Sequence, residues 1–290
     1  MKILVTGAGG LVGRAVISVC AANGDEVIGL THQALDISDE AAVRAQVDAQ
    51  TPDVIINCAA WTDVDGCEFD RERALRANAA GPELLALACR RLSALLITIS
   101  TDYVFDGAKD DFYTQRDQPN PLSVYAESKL DGERRAQAAW ARTMVVRSGY
   151  IFGRGGTNFL CTFVDLARAG QHLKVINDMF GTPTYAPHLA QRLRDLAALD
   201  LPGLYHVVNG GDGVSFAQFA RTAFELAGLD PALLESVSTE SLSRPARRPR
   251  NSRLRCLLSA AIGLPEMPPW HEGLREHVAP LATASSGRKT

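Results

Sequence analysis

The 290-residue chain is 46% hydrophobic and 22% charged and has a net charge of −3 at pH 7, which is typical of a globular protein with two domains or one large α/β domain with an appendage. This balance argues against nucleic-acid binding and against attachment to an anionic membrane surface. The sequence has no apolar run near the ~18 residues of a membrane span and no signal-peptide pattern at its N-terminus, so we expect a cytoplasmic protein without a membrane partner.

Short aliphatic and β-branched runs alternate with helix-length segments in the first half of the chain. The predicted strands are Lys2–Thr6, Glu26–Leu30, Asp53–Asn57, Ala94–Ser100 and Met144–Arg147. Their nearly continuous apolar character is expected of strands that helices cover on both faces. The pattern predicts an α/β fold with a doubly wound parallel sheet of the Rossmann type, in which ligands bind beyond the carboxyl ends of the strands.

The second half of the chain is less regular. Its predicted elements are a helix over Asn158–Ala169, a strand over Leu173–Ile176, a helix over Pro187–Leu199, a strand over Leu204–Val208 and a helix from the N-cap Ser215 through Ala227. We assign residues 1–150 to a dinucleotide-binding domain, with returning segments at about 171–212 and 268–280. Residues 151–170 and 213–267 are assigned to a smaller carboxy-terminal substrate-binding domain, and 281–290 to a flexible tail.

A glycine-rich turn follows the first predicted strand. Gly7, Gly10 and Gly13 form a G-x-x-G-x-x-G pattern at the start of the first helix. Glycines let backbone N–H groups approach a pyrophosphate, although such a turn can also be purely architectural. Its place between a strand and an amphipathic helix favours dinucleotide binding.

The type of dinucleotide depends on the end of the second strand. That strand ends in Gly29-Leu30-Thr31-His32-Gln33, without the acid that would bind a ribose 2′-hydroxyl and exclude a 2′-phosphate. Thr31 or His32 could bind the phosphate, or both could be ordinary loop residues. The sequence therefore favours NADPH, with NADH tolerated.

A Tyr-x-x-x-Lys pattern marks the candidate catalytic residues. Tyr125 and Lys129 lie one helical turn apart, and Thr101 follows the fourth strand. A neighbouring ammonium favours the phenolate form of a tyrosine, so we expect Lys129 to tune Tyr125 as a general acid/base. The alternative is a surface Tyr and Lys, which the glycine turn and the strand ending in Ser-Thr make the weaker interpretation.

Other chemistries find little support. The six cysteines contain no CxxC pair, which argues against a zinc site or a disulfide framework. His271-Glu272 is followed by His277, which is not the spacing of zinc proteases. The sequence contains neither a P-loop nor a G-x-S-x-G elbow.

These motifs resemble those of the extended short-chain dehydrogenase/reductases and, within them, of the dTDP-4-dehydrorhamnose reductase family. The resemblance runs from Met1 to about residue 274. Beyond the glycine turn, it rests on Leu35–Ile37, Asn57–Asp65, Ser100–Gly107, Pro121–Lys129 and Arg248–Ser252.

The resemblance implies roles for individual residues. The implied cofactor residues are Gly7, Gly10, Leu11 and Val12 at the pyrophosphate, Asp36 and Ile37 at the adenine, and Ala60, Trp61 and Thr62 farther along the cofactor. Tyr125 is implied to protonate the substrate carbonyl and Lys129 to hold the ribose, while Thr101 and Asp102 meet the sugar.

The resemblance also implies a carboxy-terminal part that binds the dTDP moiety. The stretch Arg244–Arg255 carries six arginines and no acid, and arginine suits a diphosphate. Arg248 is the first choice for this contact.

Two positions depart from the family pattern and leave the sugar open. Tyr150 stands where the family usually has Trp, so the aromatic side chain that packs on the sugar is expected to be Tyr150, and Met179 stands where Gln is usual. Some family members join their subunits through a magnesium ion near the first helix, but Arg14-Ala15 lacks the carboxylate. We expect no metal, while a homodimer remains compatible with the sequence.

The leading hypothesis is therefore NADPH-dependent reduction of the 4-keto group of a dTDP-linked 6-deoxyhexose. The first alternative is a reductase of another nucleotide-linked deoxysugar, or a nucleotide-sugar epimerase. The second is a non-catalytic, nucleotide-sensing regulatory subunit, against which the presence of Thr101, Tyr125 and Lys129 argues.

Overall fold

The computed structural model describes residues 1–155 and 159–286 of the chain. The strands are β1 (Lys2–Thr6), β2 (Glu26–Leu30), β3 (Val54–Asn57), β4 (Leu95–Thr101), β5 (Thr143–Ser148), β6 (Ile151–Phe152), β7 (Leu173–Ile176), β8 (Phe180–Gly181), β9 (Thr184–Tyr185), β10 (Gly203–His206), β11 (Val214–Ser215) and β12 (Leu234–Val237). The helices are α1 (Leu11–Ala22), α2 (Glu40–Gln50), α3 (Val64–Phe69), α4 (Arg71–Leu75), α5 (Gly81–Leu92), α6 (Val124–Ala139), α7 (Phe159–Arg168), α8 (Ala186–Leu199), α9 (Phe216–Ala227) and α10 (Trp270–Ser286). A π-helical turn at Arg76–Ala80 joins α4 to α5, and short 3₁₀ turns lie at Asp102–Val104, Pro231–Leu233, Thr239–Ser241 and Ala260–Ile262.

Six parallel strands form the central sheet, in the spatial order β10-β5-β4-β3-β1-β2. The chain order runs outward from β1 in both directions, which creates a switch point between β1 and β3 where crossover connections leave a crevice. The predicted doubly wound parallel sheet is confirmed.

Helices cover both faces of this sheet because the side chains of each strand alternate between the two faces. Ile3 and Val5 pack with Val16 of α1 and with residues of α8 on one face. Leu4 points the other way, into a cluster with residues of α2 and Leu85 of α5. Burial on both faces explains why the strands are continuously apolar in sequence.

The carboxy-terminal half builds a second layer of packing around α9. Ser215 caps α9 as predicted, and its side chain and that of Gln218 form a reciprocal capping box. Phe219 of α9 packs in one cluster with Phe152 and with Leu274 of α10.

Parts of the predicted returning segments pack away from the central sheet. Leu173–Ile176 pairs with β12 instead of with the central sheet. Within 171–212, β10 is a strand of the central sheet and α8 packs on one of its faces. The segment 268–280 lies mostly in α10, which packs against α9. In the segment predicted as a flexible tail, residues 281–286 belong to α10, and residues 287–290 lie outside the described part. Asn158, the first residue of the helix predicted over Asn158–Ala169, also lies outside it.

None of the helices within residues 1–155 and 159–286 combines the length and the apolar character that crossing a bilayer requires.

Candidate active site

The carboxyl ends of β1, β3, β4 and β5 meet at one edge of the sheet, and two adjoining cavities lie there. The larger, of about 680 Å³, is lined by the loops after β1, β2 and β3 and is called here the glycine-loop cavity. The smaller, of about 290 Å³, contains Tyr125 and is called the tyrosine cavity. Both are lined by Cys58, Ala59 and Ala60, so the two form one continuous crevice at the switch point.

The glycines of the first turn fall into two kinds. Gly7 has φ +65°, and a Cβ there would lie 2.7 Å from the backbone of Cys58 and Ala59. A Cβ on Gly13 would lie 2.3 Å from the Gly7 carbonyl oxygen, so both positions need glycine for packing alone. A Cβ on Gly9 would meet only the Thr31 side chain at 3.7 Å. Gly9, which the sequence analysis left out, therefore leaves open space in the cavity.

The N-terminus of α1 has the features of an anion-binding site. Gly10 is the N-cap, no side chain caps the helix there, and the first turn carries no acid. The first N–H groups of a helix, together with its dipole, attract a negatively charged group. This arrangement suits a pyrophosphate.

Six predicted cofactor residues line the glycine-loop cavity: Gly7, Gly10, Asp36, Ile37, Ala60 and Trp61. Val12 and Thr62 instead line the tyrosine cavity. In the described part of the chain Leu11 lines neither, and its side chain lies beside Gly153. Thr31 and His32, which the sequence offered as phosphate contacts, also line the glycine-loop cavity, and the structure adds Arg73 and Arg76.

Thr101, Tyr125 and Lys129 converge in the tyrosine cavity, and each is at least nine-tenths buried. Ser123 caps α6 and so fixes the turn that carries Tyr125. The Thr101 hydroxyl donates to the Asp102 carboxylate at 3.2 Å, and Lys129 Nζ donates to the Ile99 carbonyl oxygen at 2.7 Å.

Burial dominates the protonation of this group, contrary to the tuning expected from sequence. It raises the pKa of Tyr125, which the Asp102 carboxyl raises further and the Thr101 hydroxyl lowers. Burial also lowers the pKa of Lys129 to about 8. The Lys129 ammonium is held by the Ile99 carbonyl, and Tyr125 is a neutral phenol at neutral pH.

Asn78, which the sequence analysis missed, ties the catalytic helix to the loop after β3. It lies in the π-helical turn; its Oδ1 accepts from the Trp61 N–H at 2.9 Å, and its Nδ2 donates to the Trp61 carbonyl oxygen at 3.0 Å. Asn78 Nδ2 also donates to Ser128 Oγ, which donates to the Tyr125 carbonyl oxygen at 2.7 Å. The signal for this role of Asn78 is its place in a π-helical turn, because such turns are frequent at functional sites.

Asp102 and Tyr150 also line the tyrosine cavity. Tyr150 has φ +50°, and its ring centroid lies 4.1 Å from that of Phe216. Asp102 is 4% exposed, and a Cβ on Gly149 would lie 2.1 Å from its carboxyl carbon. Ser252, which the sequence analysis did not single out, also lines this cavity, and its hydroxyl lowers the pKa of Asp102.

The protonation of Asp102 is expected to make stability pH-dependent. Burial raises its pKa to about 6, against the lowering effect of hydrogen bonds from Ser252 and Thr101. The native state therefore holds a proton that the unfolded state, with a pKa of about 3.9, has released. Between about pH 4 and pH 6 the free energy of unfolding should fall as pH rises, by at most about 2–3 kcal/mol.

Urea unfolding across this range checks the effect by comparing the wild type with Asp102→Asn, which should lack this fall. Asp106→Asn is the control, because hydrogen bonds from the Ala108 N–H and Asn120 lower the pKa of Asp106 and place its effect on stability at lower pH, so this variant should keep the fall seen in the wild type. Parallel profiles for the wild type and Asp102→Asn would contradict the expectation.

The structure does not bring Arg248 into the tyrosine cavity. Its guanidinium forms two hydrogen bonds to the Asp65 carboxylate, at 2.9 and 2.8 Å, and its side chain is 10% exposed. It lies instead beside a separate cavity of about 400 Å³ that Arg244, Arg247 and Arg250 also line. In this structure Arg248 links the arginine-rich segment to α3, and its expected contact with the diphosphate stays a prediction.

Comparisons with known proteins agree with this geometry. Residues 1–283 match the family model described as RmlD substrate binding domain. A dTDP-4-dehydrorhamnose reductase of Mycolicibacterium smegmatis is 39% identical over 98% of this chain and 87% of that protein. Among solved structures, the dTDP-4-dehydrorhamnose reductase of Clostridium acetobutylicum is 37% identical with a TM-score of 0.93, over 97% of this chain and 99% of that one.

A second solved structure, the dTDP-4-dehydrorhamnose reductase of Bacillus anthracis in complex with NADP, is 32% identical with a TM-score of 0.92. It covers 97% of this chain and 100% of that one. The chain therefore belongs to the RmlD substrate-binding-domain family, the family of the dTDP-4-dehydrorhamnose reductases.

Proposed function

We propose that this chain is an NADPH-dependent oxidoreductase that reduces the 4-keto group of a dTDP-linked 6-deoxyhexose, converting dTDP-4-dehydro-L-rhamnose to dTDP-L-rhamnose. The observation that carries the proposal is the buried group of Thr101, Tyr125 and Lys129 beside a glycine-lined cavity of about 680 Å³. The family membership supplies the substrate class, because its members are named for this sugar.

The glycine-loop cavity fits an adenine dinucleotide. Gly9 leaves it open beside the uncapped start of α1 at Gly10, which suits the pyrophosphate. Asp36, Ile37, Ala60 and Trp61 would hold the adenosine half and the adjoining part of the cofactor. When bound, the reduced nicotinamide supplies a hydride to the substrate carbonyl. NADPH is the expected cofactor and NADH a tolerated one.

Tyr125 is the proton donor in this mechanism. Because burial raises its pKa, its phenol keeps the proton at neutral pH and can transfer it to the keto oxygen. The positive charge of Lys129 then favours the phenolate that remains. The Thr101 hydroxyl, which lines the same cavity as Tyr125, would orient the sugar oxygen toward the donor.

The sugar is expected to contact Asp102 and Tyr150, which both line the tyrosine cavity. Tyr150 stands where the family usually has Trp, and this favours a second candidate, reduction of another dTDP-linked deoxysugar. For Arg248 to contact the diphosphate, its ion pair with Asp65 would have to open.

The assignment of segments follows from these contacts. Residues 1–150, with β10 in their sheet and α8 packed on it, would form the cofactor-binding part. Residues 151–170 and 213–267, with which β7 and α10 pack, would form the substrate-binding part. We place the enzyme in the cytoplasm, where NADPH and nucleotide sugars are found, and a homodimer is an expected form of it.

Loss of reduced-nicotinamide absorbance tests the proposal directly. Purified protein is mixed with enzymatically generated dTDP-4-dehydro-L-rhamnose, and NADPH and NADH are assayed separately. Rapid oxidation, faster with NADPH, is the expected result. Binding of NADPH without oxidation would contradict the proposal and favour another sugar or a regulatory subunit, whereas NAD released on denaturation would point to an epimerase.

Asn78→Ala should weaken both cofactor binding and folding. The side chain is fully buried and holds both backbone polar groups of Trp61, so we expect about a tenfold loss of NADPH affinity and about 1–3 kcal/mol less stability. Fluorescence titration and urea unfolding measure these effects. The exposed Asn23→Ala is the control, and unchanged NADPH affinity of folded Asn78→Ala would show that Asn78 is only structural.

A further inference from the structure

Two arginines, Arg73 and Arg76, line the glycine-loop cavity, and they differ in the contacts that hold them. The Arg73 guanidinium lies over the Trp61 ring, 4.4 Å from its centroid, which commits it to that ring. Arg76 pairs with Glu72 one helical turn earlier, and the two side chains are 57% and 81% exposed. Such an exposed pair is worth little. Arg76 can therefore exchange Glu72 for a ligand in the cavity.

The charge of Arg76 acts on the loop that follows β2. Asp36 in that loop accepts hydrogen bonds from the Ser38 N–H and hydroxyl, at 2.9 and 2.8 Å. These bonds lower the pKa of Asp36, and the charges of His32 and Arg76 lower it further. Arg76 and His32 thus both act electrostatically on the Asp36 carboxylate, whose hydrogen bonds come from Ser38.

The end of β2 is where a dinucleotide fold meets the 2′ position of the adenosine ribose. In this chain Thr31 and His32 line the cavity there, and the segment Leu30–Gln33 contains no acid that would repel a phosphate. A guanidinium gives a phosphate charge-assisted hydrogen bonds that a hydroxyl alone cannot match.

We infer that Arg76, with Thr31 and His32, binds the 2′-phosphate of NADPH and is the residue that sets the preference for NADPH over NADH. The inference deepens the proposed function and rests on it for the identity of the cofactor. It assigns the preference to the junction of α4 and the π-helical turn, in addition to the loop after β2.

Binding measurements without substrate test this inference. Titration calorimetry gives the Kd of NADPH and NADH, and of the fragments 2′,5′-ADP and 5′-AMP, which lack the nicotinamide. Arg76→Leu should weaken NADPH and 2′,5′-ADP by about tenfold and change NADH and 5′-AMP by less than about twofold. Arg76→Lys should recover part of the NADPH affinity, because it keeps the charge but not the fork of donors.

Arg44→Leu is the matched control. Arg44 is also a helical arginine in a one-turn pair, with Asp48, its side chain is 70% exposed, and it does not line the cavity formed by the described residues. All four affinities should be unchanged in this variant. Equal weakening of NADPH and NADH by Arg76→Leu would overturn the inference, because it would place Arg76 on the adenosine that both share, and so would no weakening at all.

The proposed function can fail separately. Wild-type protein that shows the expected Arg76 effect on NADPH and 2′,5′-ADP but does not reduce the dTDP-sugar would contradict the reductase proposal and leave the phosphate site standing. Wild-type protein that binds none of the four ligands would overturn both.

Discussion

Tyr125→Phe is expected to lower turnover by about 10²–10⁴-fold, while the Kd of NADPH changes by less than about twofold. The substitution removes only the hydroxyl that gives its proton to the keto oxygen and leaves the ring in its buried place. Steady-state assays of kcat, with NADPH affinity measured separately by fluorescence, check the result.

Tyr205→Phe is the control for this experiment. Its hydroxyl donates to the Leu201 carbonyl oxygen at 2.7 Å, and the residue lies on β10, the edge strand of the sheet, so its loss should leave turnover unchanged. If the kcat of Tyr125→Phe stayed within a few-fold of the wild-type value, Tyr125 would not be the proton donor.

Glu133→Gln is expected to destabilise the protein by about 3–5 kcal/mol. Glu133 on α6 receives two hydrogen bonds from Arg147 of β5, at 2.9 and 2.6 Å, and the two side chains are 3% and 5% exposed. Ser100 Oγ also donates to the same carboxylate. The neutral amide would leave the Arg147 charge buried without its counter-charge, which costs far more than a surface pair.

Urea unfolding measures this loss, and Asp131→Asn on the same helix is its matched control. Asp131 pairs with Arg135 at 2.9 Å, but these side chains are 36% and 45% exposed, so the expected loss is below about 1 kcal/mol. Equal losses for the two variants would contradict the expectation that burial makes the Glu133–Arg147 pair the more important one.

Glu133 also raises the pKa of Lys129, so the alkaline limb of the pH profile of activity should move to lower pH in Glu133→Gln.

The sequence alone determined the class of fold and the local shape of the crevice. Periodicity separated the central strands from the helices, because burial on both faces leaves nearly continuous apolar runs such as Val54–Asn57. The glycine turn and the Tyr125–Lys129 spacing are local patterns, and each is already fixed within a few residues of chain. The roles of the individual site residues stay predictions to be tested by the variants above.

Only the tertiary structure decided which distant side chains meet. Asn78 and Trp61 are 17 residues apart in the chain, and their contact depends on a π-helical turn that no local pattern announces. Arg248 pairs with Asp65, which lies 183 residues earlier in the chain, and nothing in the sequence indicated this pair. The protonation of Tyr125 was likewise beyond the sequence, because desolvation depends on everything packed around a side chain, whereas a motif shows only its neighbours along the helix.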